Sequence, residues 1–140
     1  MKKTLLIFIL IITSCSSDDE TKINNSSLVG KWNWTNTDGG IGYHIHETPT
    51  STDKTIILNL DNNYSYSILE NGSEVSNGTY EVTMRESIYS GEIERYIIYS
   101  SEYKNQNTVI SGIIRVLDNN NLLIADNYTD GVESEYVRYN

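Results

Sequence analysis

Hydrophobic and polar residues alternate with a period of two along most of the chain after residue 28. One such segment places Tyr80, Val82 and Met84 on one face, and residues 56–60 show the same alternation. Because successive side chains of a β-strand point to opposite faces, this pattern predicts half-buried strands, with these three side chains directed inward. No segment has the periodicity of an amphipathic helix, so this region is predicted to be all-β.

Short runs of Asn, Asp, Ser and Gly separate the alternating segments, as turns require. Asn71-Gly72 is the strongest hairpin signal, and Gly112 inside a hydrophobic segment predicts a bend or a bulge. Residues 36–53 are glycine-rich and polar, and they predict a long loop with one short strand near residues 43–45. About eight short strands separated by turns predict a sandwich or a barrel. The predicted strands cover residues 28–35, 54–60, 64–69, 78–84, 93–102, 108–117, 122–125 and 132–139.

Composition limits the functions that the chain can have. Its 140 residues include 19 Asp and Glu against 10 Lys and Arg, which gives a formal net charge of −9. Such a surface repels nucleic acid, so we exclude DNA and RNA as partners. About 110 residues follow residue 28, which suffices for one domain with one modest core. The chain has a single cysteine, so packing and sheet pairing must stabilise the fold without an intrachain disulfide.

The first 14 residues have the pattern of a secretory signal peptide. Lys2 and Lys3 precede an apolar run of about ten residues, and small residues follow it up to Cys15. The run is too short for a permanent membrane span, which needs about 20 apolar residues. We therefore expect residues 1–14 to direct export.

The sequence Ile12-Thr13-Ser14-Cys15 resembles the bacterial lipobox, in which a cysteine becomes the new N-terminus. The resemblance implies cleavage before Cys15, diacylglycerol on its sulfur and a further acyl chain, such as palmitate, on the new amine. Two or more chains anchor a protein stably in a bilayer. A free thiol is unusual in an exported protein, which favours lipidation over a plain signal peptide with a chance cysteine.

An acidic cluster, Asp18-Asp19-Glu20, follows two serines directly after the cysteine. It resembles the surface-export signal of lipoproteins of Bacteroidetes, and the alternative is a solvated acidic tether. We therefore expect residues 15–27 to form a lipidated, flexible tether at the bacterial outer membrane. The resemblance favours exposure on the cell surface, with a periplasm-facing anchor as the alternative.

Gly30-Lys31-Trp32 at the start of the first predicted strand resembles the Gly-x-Trp motif of lipocalins. The resemblance implies that residues 28–140 form one antiparallel up-and-down β-barrel of about eight strands. It also implies that Arg138 caps Trp32 at the closed barrel end, a contact worth about 0.5 to 2 kcal/mol. The chain is shorter than full lipocalins, so side chains could fill a small barrel. Further motifs of this chain resemble those of small lipocalin-like lipoproteins of Bacteroidetes. They are Thr48-Pro49, Asn71-Gly72, Ser76-Asn77-Gly78-Thr79-Tyr80 and Tyr136-Val137-Arg138.

Five tyrosines are candidates to line a ligand cavity, because each offers a flat apolar face with a hydroxyl tip. Such a lining suits a small apolar or glycan ligand. In the alternative, the tyrosines fill the barrel interior or cover its outer face as cross-strand pairs. The candidates are Tyr64, Tyr66, Tyr80, Tyr96 and Tyr136.

No constellation of residues indicates catalysis, a metal or another cofactor. His44 and His46 would face the same way on a strand, but no third ligand has a diagnostic spacing, so exposed loop histidines are favoured. The acidic pairs at positions 92 and 94 and at positions 133 and 135 are interpreted as solvated strand and loop residues, not as a glycosidase pair. The Asp- and Asn-rich turns lack calcium-loop spacing, and no nucleophile elbow occurs.

These observations predict a non-enzymatic, membrane-anchored bacterial lipoprotein. Its lipocalin-like domain is expected to bind a small apolar or glycan ligand, or a partner protein at the cell envelope. The alternative is a filled barrel that acts as a structural or protein-interaction module without a small-molecule ligand. The ligand-binding hypothesis requires a pocket of a few hundred cubic ångströms, and the alternative does not.

Overall fold

The computed structural model describes residues 22–101, 103 and 107–139. The predicted signal peptide and Cys15 therefore lie outside the described residues. Within the described part of the chain, no helix is both long enough and apolar enough to cross a membrane. The strands are β1 (Gly30–Gly39), β2 (Ile45–Glu47), β3 (Ile56–Leu60), β4 (Ser65–Glu70), β5 (Ser73–Glu86), β6 (Ile93–Tyr99), β7 (Gly112–Val116), β8 (Asn121–Ala125) and β9 (Val132–Arg138). The only helical segments among the described residues are a 3-10 turn at Ile41–Tyr43 and one α-helical turn at Pro49–Thr52.

The strands form a closed antiparallel barrel, as predicted. Each of the strands β3 to β9 pairs with its neighbour in sequence, and β9 pairs back onto β1. The barrel therefore has eight strands in up-and-down order. The short strand β2 is an addition, because it pairs only with Thr37–Gly39 at the end of β1, while Gly30–Asn33 pair with β3.

The barrel interior is packed with large side chains. Trp32 and Trp34, two positions apart on β1, are both fully buried on the inner face. Tyr80 and Val82 are buried as predicted, but Met84 is 50% exposed. That expectation was wrong because β5 and β6 continue as a hairpin beyond the packed interior, where Met84 pairs with Arg95. The other core residues include Ile56, Leu58, Leu60, Ile68, Ile97, Ile114, Leu122 and Ile124.

Residues 23–29 cover one end of the barrel, which we call the N-terminal end. Leu28 is fully buried, and its carbonyl oxygen accepts a hydrogen bond of 2.7 Å from the Trp32 indole nitrogen. The Asn25 amide is also buried and donates to the Tyr80 hydroxyl at 2.6 Å. We expected a flexible tether up to residue 27, but these contacts bring residues 23–27 into the domain. The polar composition of this segment did not predict its burial, because the residue that makes the buried contact is an asparagine.

The segment before β7 packs against the interior near the opposite end, which we call the rim. The Tyr136 hydroxyl donates to the Val109 carbonyl oxygen at 2.6 Å, and the Val109 amide donates to the Ser134 hydroxyl at 2.9 Å. The predicted strand over 108–117 therefore begins only at Gly112. A Cβ at Gly112 would overlap the Ala125 carbonyl oxygen, which explains the glycine in this strand.

The turn between β5 and β6, residues 87–92, contacts the turn between β8 and β9. Asn127 accepts a hydrogen bond of 2.9 Å from the Ile88 amide and donates one of 2.9 Å to the Glu86 carbonyl oxygen. The Tyr89 hydroxyl donates to the Tyr128 carbonyl oxygen at 3.0 Å. These bonds fix Tyr89 beside the rim.

Candidate functional site

The structure divides the five candidate tyrosines into three groups. Tyr66, Tyr80 and Tyr136 are buried in the core, and Tyr64 is partly buried against it. Tyr96 is on the opposite face of β6 from the buried Ile97, and the Arg85 guanidinium carbon lies 4.2 Å from its ring centre. Tyr96 therefore covers the outer surface of the barrel and does not join the other four.

Tyr66 and Tyr80 both pack against Tyr99, which is also in the core. The ring centres of Tyr66 and Tyr99 are 4.5 Å apart in an edge-to-face arrangement, and those of Tyr80 and Tyr99 are 6.2 Å apart. Burial raises the pKa of Tyr99 well above its usual range and also raises the pKa of Tyr136. These phenols are therefore neutral, and they fill the interior as the alternative hypothesis predicts for this part of the barrel.

A hollow of about 670 Å³ lies at the N-terminal end. We call it the N-terminal hollow. Lys22, Ile23, Asn63 and Tyr64 line one side, and β5 from Thr79 to Met84 lines the other. Two candidate residues, Tyr64 and Tyr80, lie here with their ring centres 5.6 Å apart. The hollow combines aromatic faces with hydroxyl, ammonium and carboxylate groups, which suits an amphipathic small molecule.

The turn before β4 places Tyr64 at this hollow. Tyr64 has a φ angle of +63°, and its amide donates to the Asp61 carbonyl oxygen at 3.1 Å. Its hydroxyl donates to the Ile23 carbonyl oxygen at 3.0 Å, and the Lys22 ammonium lies 4.9 Å from its ring centre. Tyr64 therefore links residues 22–23 to the barrel end.

Arg138 and Trp32 face each other on paired strands at the same end. The Arg138 guanidinium carbon lies 4.1 Å from the Trp32 ring centre. The guanidinium also donates to the carbonyl oxygens of Val29 and Asn119, each at 2.8 Å. A Cβ at Gly30 would overlap this guanidinium, so the glycine leaves room for it.

A second depression, of about 360 Å³, lies at the rim, and we call it the rim cleft. Its charged and aromatic side chains come from four separate parts of the chain, so no local motif identified the site. The sequence pattern pointed to only one part of this cleft, the glycine-rich segment at the end of β1 and in the loop that follows. The side chains are Asp38, Tyr43, Tyr89, Arg115, Asp130 and Glu133.

The acidic pairs are mostly exposed, as expected of solvated residues: Glu92, Glu133 and Glu135 are exposed, and Glu94 is partly buried. Glu94 accepts two hydrogen bonds from the Arg115 guanidinium, at 2.5 and 2.7 Å. These bonds, with one from Ser90, lower the pKa of Glu94 to about 2. Glu133 lines the rim cleft. Glu92, Glu94 and Glu135 do not line this cleft, so neither pair supplies both of its carboxyl groups to it.

The two histidines contact different residues. His44 precedes β2, and its Nδ1 donates to the Ile41 carbonyl oxygen at 2.8 Å. His46 contacts the Asp38 carboxylate, and this hydrogen bond lowers the pKa of Asp38. Among the described residues, no group of three or more His, Cys, Asp or Glu is arranged to hold a metal ion.

The described residues therefore form a closed eight-stranded barrel with a packed interior, and the N-terminal hollow and the rim cleft lie towards opposite ends of it. No family model, curated protein or solved structure matches this chain.

Proposed function

We propose that the protein is a lipid-anchored lipoprotein of the bacterial outer membrane, with a lipocalin-like barrel that binds a small apolar or glycan ligand. The observation that carries ligand binding is the N-terminal hollow, where the partly exposed Tyr64 ring packs against the buried Tyr80 ring and forms an aromatic wall. Its volume of about 670 Å³ exceeds the few hundred cubic ångströms that the hypothesis requires. The ligand site is therefore at the barrel end and not in the centre, where tyrosines are packed.

The chemistry of the hollow favours a molecule with one apolar face and a few polar groups. The partly exposed Tyr64 ring, backed by the buried Tyr80 ring, offers a flat surface for an aromatic, acyl or sugar face. Lys22 and Glu81, with Asn63 and Thr79, offer polar contacts around that surface. No group in this set has the pairing of a nucleophile and a base, so the proposal is binding without catalysis.

Titration of the purified full chain with the apolar dye N-phenyl-1-naphthylamine, and separately with a chitin trisaccharide, tests this proposal. We expect saturable binding of one of the two probes, and Tyr64→Ala should weaken it about fivefold or more because an aromatic wall is lost. Tyr128→Ala is the matched control, since Tyr128 is exposed in the turn beside the rim. Equal loss of binding in both variants, or no binding of either probe, would contradict a ligand site in the hollow.

The packed interior supports a second candidate, a filled barrel that acts as a protein-interaction module. Trp32, Tyr66, Tyr99 and Tyr136 occupy the space in which lipocalin-type barrels hold a ligand. This candidate predicts that neither probe binds, while a protein partner is retained on the immobilised full chain.

Membrane fractionation tests the anchor separately. Cys15→Ser should move the protein from the membrane to the soluble fraction, because the residue that would carry the acyl chains is removed. Ser14→Ala serves as a control that leaves the cysteine in place. Retention of the Cys15→Ser protein in membranes would refute the anchor without bearing on the hollow.

A further inference from the structure

The rim cleft has a floor of backbone rather than side chains. The Gly40 amide donates to the Gly131 carbonyl oxygen at 3.0 Å, which joins the loop after β1 to the turn before β9. A Cβ at Gly39 would lie 2.6 Å from the same carbonyl oxygen, so only glycine permits this approach. The floor is therefore fixed, and the side chains around it decide what the cleft can bind.

Three carboxylates and one cation surround this floor. Asp38, Asp130 and Glu133 line the cleft with Arg115. The Asp38 carboxylate already accepts hydrogen bonds from His46 and Asn36, so Asp130 and Glu133 are the carboxylates that a ligand would use. Arg115 is already bonded twice to Glu94, so its charge is largely compensated. The cleft is therefore negative overall, and it favours a cationic group.

The raised pKa of Tyr89 agrees with a negative charge in the cleft. Partial burial raises its pKa, and the nearby carboxylates of Asp126, Glu133 and Asp130 raise it further. A negative phenolate is disfavoured where the surroundings are negative. The same surroundings stabilise a positive group at that place.

Two tyrosine rings complete the cleft. Tyr43 is 87% exposed, and Tyr89 is 53% exposed, although the hydroxyl of Tyr89 is bonded to Tyr128. Exposed aromatic faces next to carboxylates suit an ammonium or guanidinium group, which gains from the ring electrons and from the ion pair. A neutral sugar or an anion would not use the carboxylates in this way.

We propose that the rim cleft is a docking site for a lysine or arginine side chain of a basic partner protein. The charge of the cleft and the formal net charge of −9 of the whole chain both favour a partner with basic residues. A volume of about 360 Å³ accommodates one extended basic side chain. This site is separate from the N-terminal hollow, at the other end of the barrel, so the two bind different molecules.

The test uses the full chain in a nonionic detergent, with ¹³C-labelled tyrosine rings. The probe is a capped tetralysine peptide, and the matched control peptide is capped tetra-acetyllysine, which has the same backbone without the charges. We expect tetralysine to shift the Tyr43 and Tyr89 resonances in a saturable way, whereas the acetylated peptide leaves them unchanged. The double variant Asp130→Asn/Glu133→Gln should weaken tetralysine binding about tenfold through loss of two partners for the cation.

The variants distinguish docking in the cleft from a general effect of the negative charge of the protein. Asp130 has a φ angle of +58°, which asparagine tolerates, so the variant keeps the turn. The control Asp53→Asn/Glu74→Gln removes the same charge from exposed positions outside the cleft, and it should change the affinity less than twofold. Equal weakening by both double variants, binding of the acetylated peptide, or shifts that spare Tyr43 and Tyr89 would each overturn the proposal.

Discussion

The guanidinium of Arg138 lies over the indole ring of Trp32, with its central carbon 4.1 Å from the ring centre. The two residues are direct partners in the ladder between β1 and β9, so the contact joins the first and last strands where the barrel closes. The same guanidinium donates to the Val29 carbonyl oxygen and thereby holds the chain that enters β1. One side chain therefore secures barrel closure and the cover of the N-terminal end.

Arg138→Ala should lower the free energy of unfolding by about 2 kcal/mol. The change removes one cation–π contact and two hydrogen bonds to backbone carbonyl oxygens, and each is worth about 0.5 to 1 kcal/mol. Urea unfolding followed by tryptophan fluorescence measures the loss. Arg85→Ala is the matched control, because its contact with Tyr96 is on the outer surface, and we expect less than about 1 kcal/mol there. Equal stability of Arg138→Ala and the unmodified chain would refute the role given to Arg138.

Gly30→Ala should also destabilise the protein, by about 1 to 3 kcal/mol. Gly30 has a φ angle of +140°, which an alanine adopts only with strain, and the new Cβ would overlap the Arg138 guanidinium. In a double-mutant cycle, Gly30→Ala should cost about 1 kcal/mol less when Arg138 is already alanine, because the overlap is gone. Additive effects in the cycle would show that the glycine is required for its backbone angle alone.

The strands of the barrel could be predicted from the sequence because their alternation is local. Asn71 and Gly72 both have positive φ angles, as the hairpin signal requires, and Trp32 and Trp34 share the inner face. Met84 shows the limit of this reasoning. Its position on the inner face follows from alternation, but its exposure depends on how far β5 extends beyond the other strands, which is a property of the whole barrel.

The sites were harder to predict, because they depend on residues that are distant in sequence. Tyr64 and Tyr80 were candidates, but the asparagine at position 25 that covers Tyr80 belongs to a segment whose composition suggests a tether. The rim cleft combines Tyr89 with Glu133 through hydrogen bonds between two turns, and no spacing in the sequence encodes that contact. Pairing of turns across a closed barrel becomes apparent only with the register of the strands.

Two interior tyrosines should respond differently to loss of the hydroxyl group. The Tyr99 hydroxyl is buried and has no hydrogen-bond partner among the described residues, so Tyr99→Phe should be neutral or should stabilise the protein by up to about 1 kcal/mol. The Tyr136 hydroxyl donates to the Val109 carbonyl oxygen, and Tyr136→Phe should cost about 1 to 2 kcal/mol. Thermal unfolding of the two variants compares them directly. Loss of one hydrogen bond costs about 1 kcal/mol. If Tyr99→Phe destabilises the protein by that much or more, the Tyr99 hydroxyl is not unpaired.

The ion pair between Glu94 and Arg115 should make stability depend on pH in the acid range. Hydrogen bonds from Arg115 and Ser90 lower the pKa of Glu94 from 4.5 to about 2 in the folded protein. The folded state therefore binds the proton less readily than the unfolded chain, so the pair stabilises the protein fully above about pH 4.5. This contribution is lost as the pH falls toward 2. Because the Arg115 side chain is 37% exposed, we expect about 1 kcal/mol rather than the full value of the shift.

Glu94→Gln isolates this contribution. At pH 7 the variant should be less stable than the unmodified chain by about 1 kcal/mol, and the difference should shrink as the pH is lowered from 4.5 toward 2, where Glu94 itself becomes neutral. Urea unfolding at a series of pH values gives both curves. Glu81→Gln is the control for removal of an exposed carboxylate, and its difference from the unmodified chain should stay small throughout. A gap between the Glu94→Gln and unmodified curves that is constant down to pH 2 would mean that the glutamate is not held by Arg115.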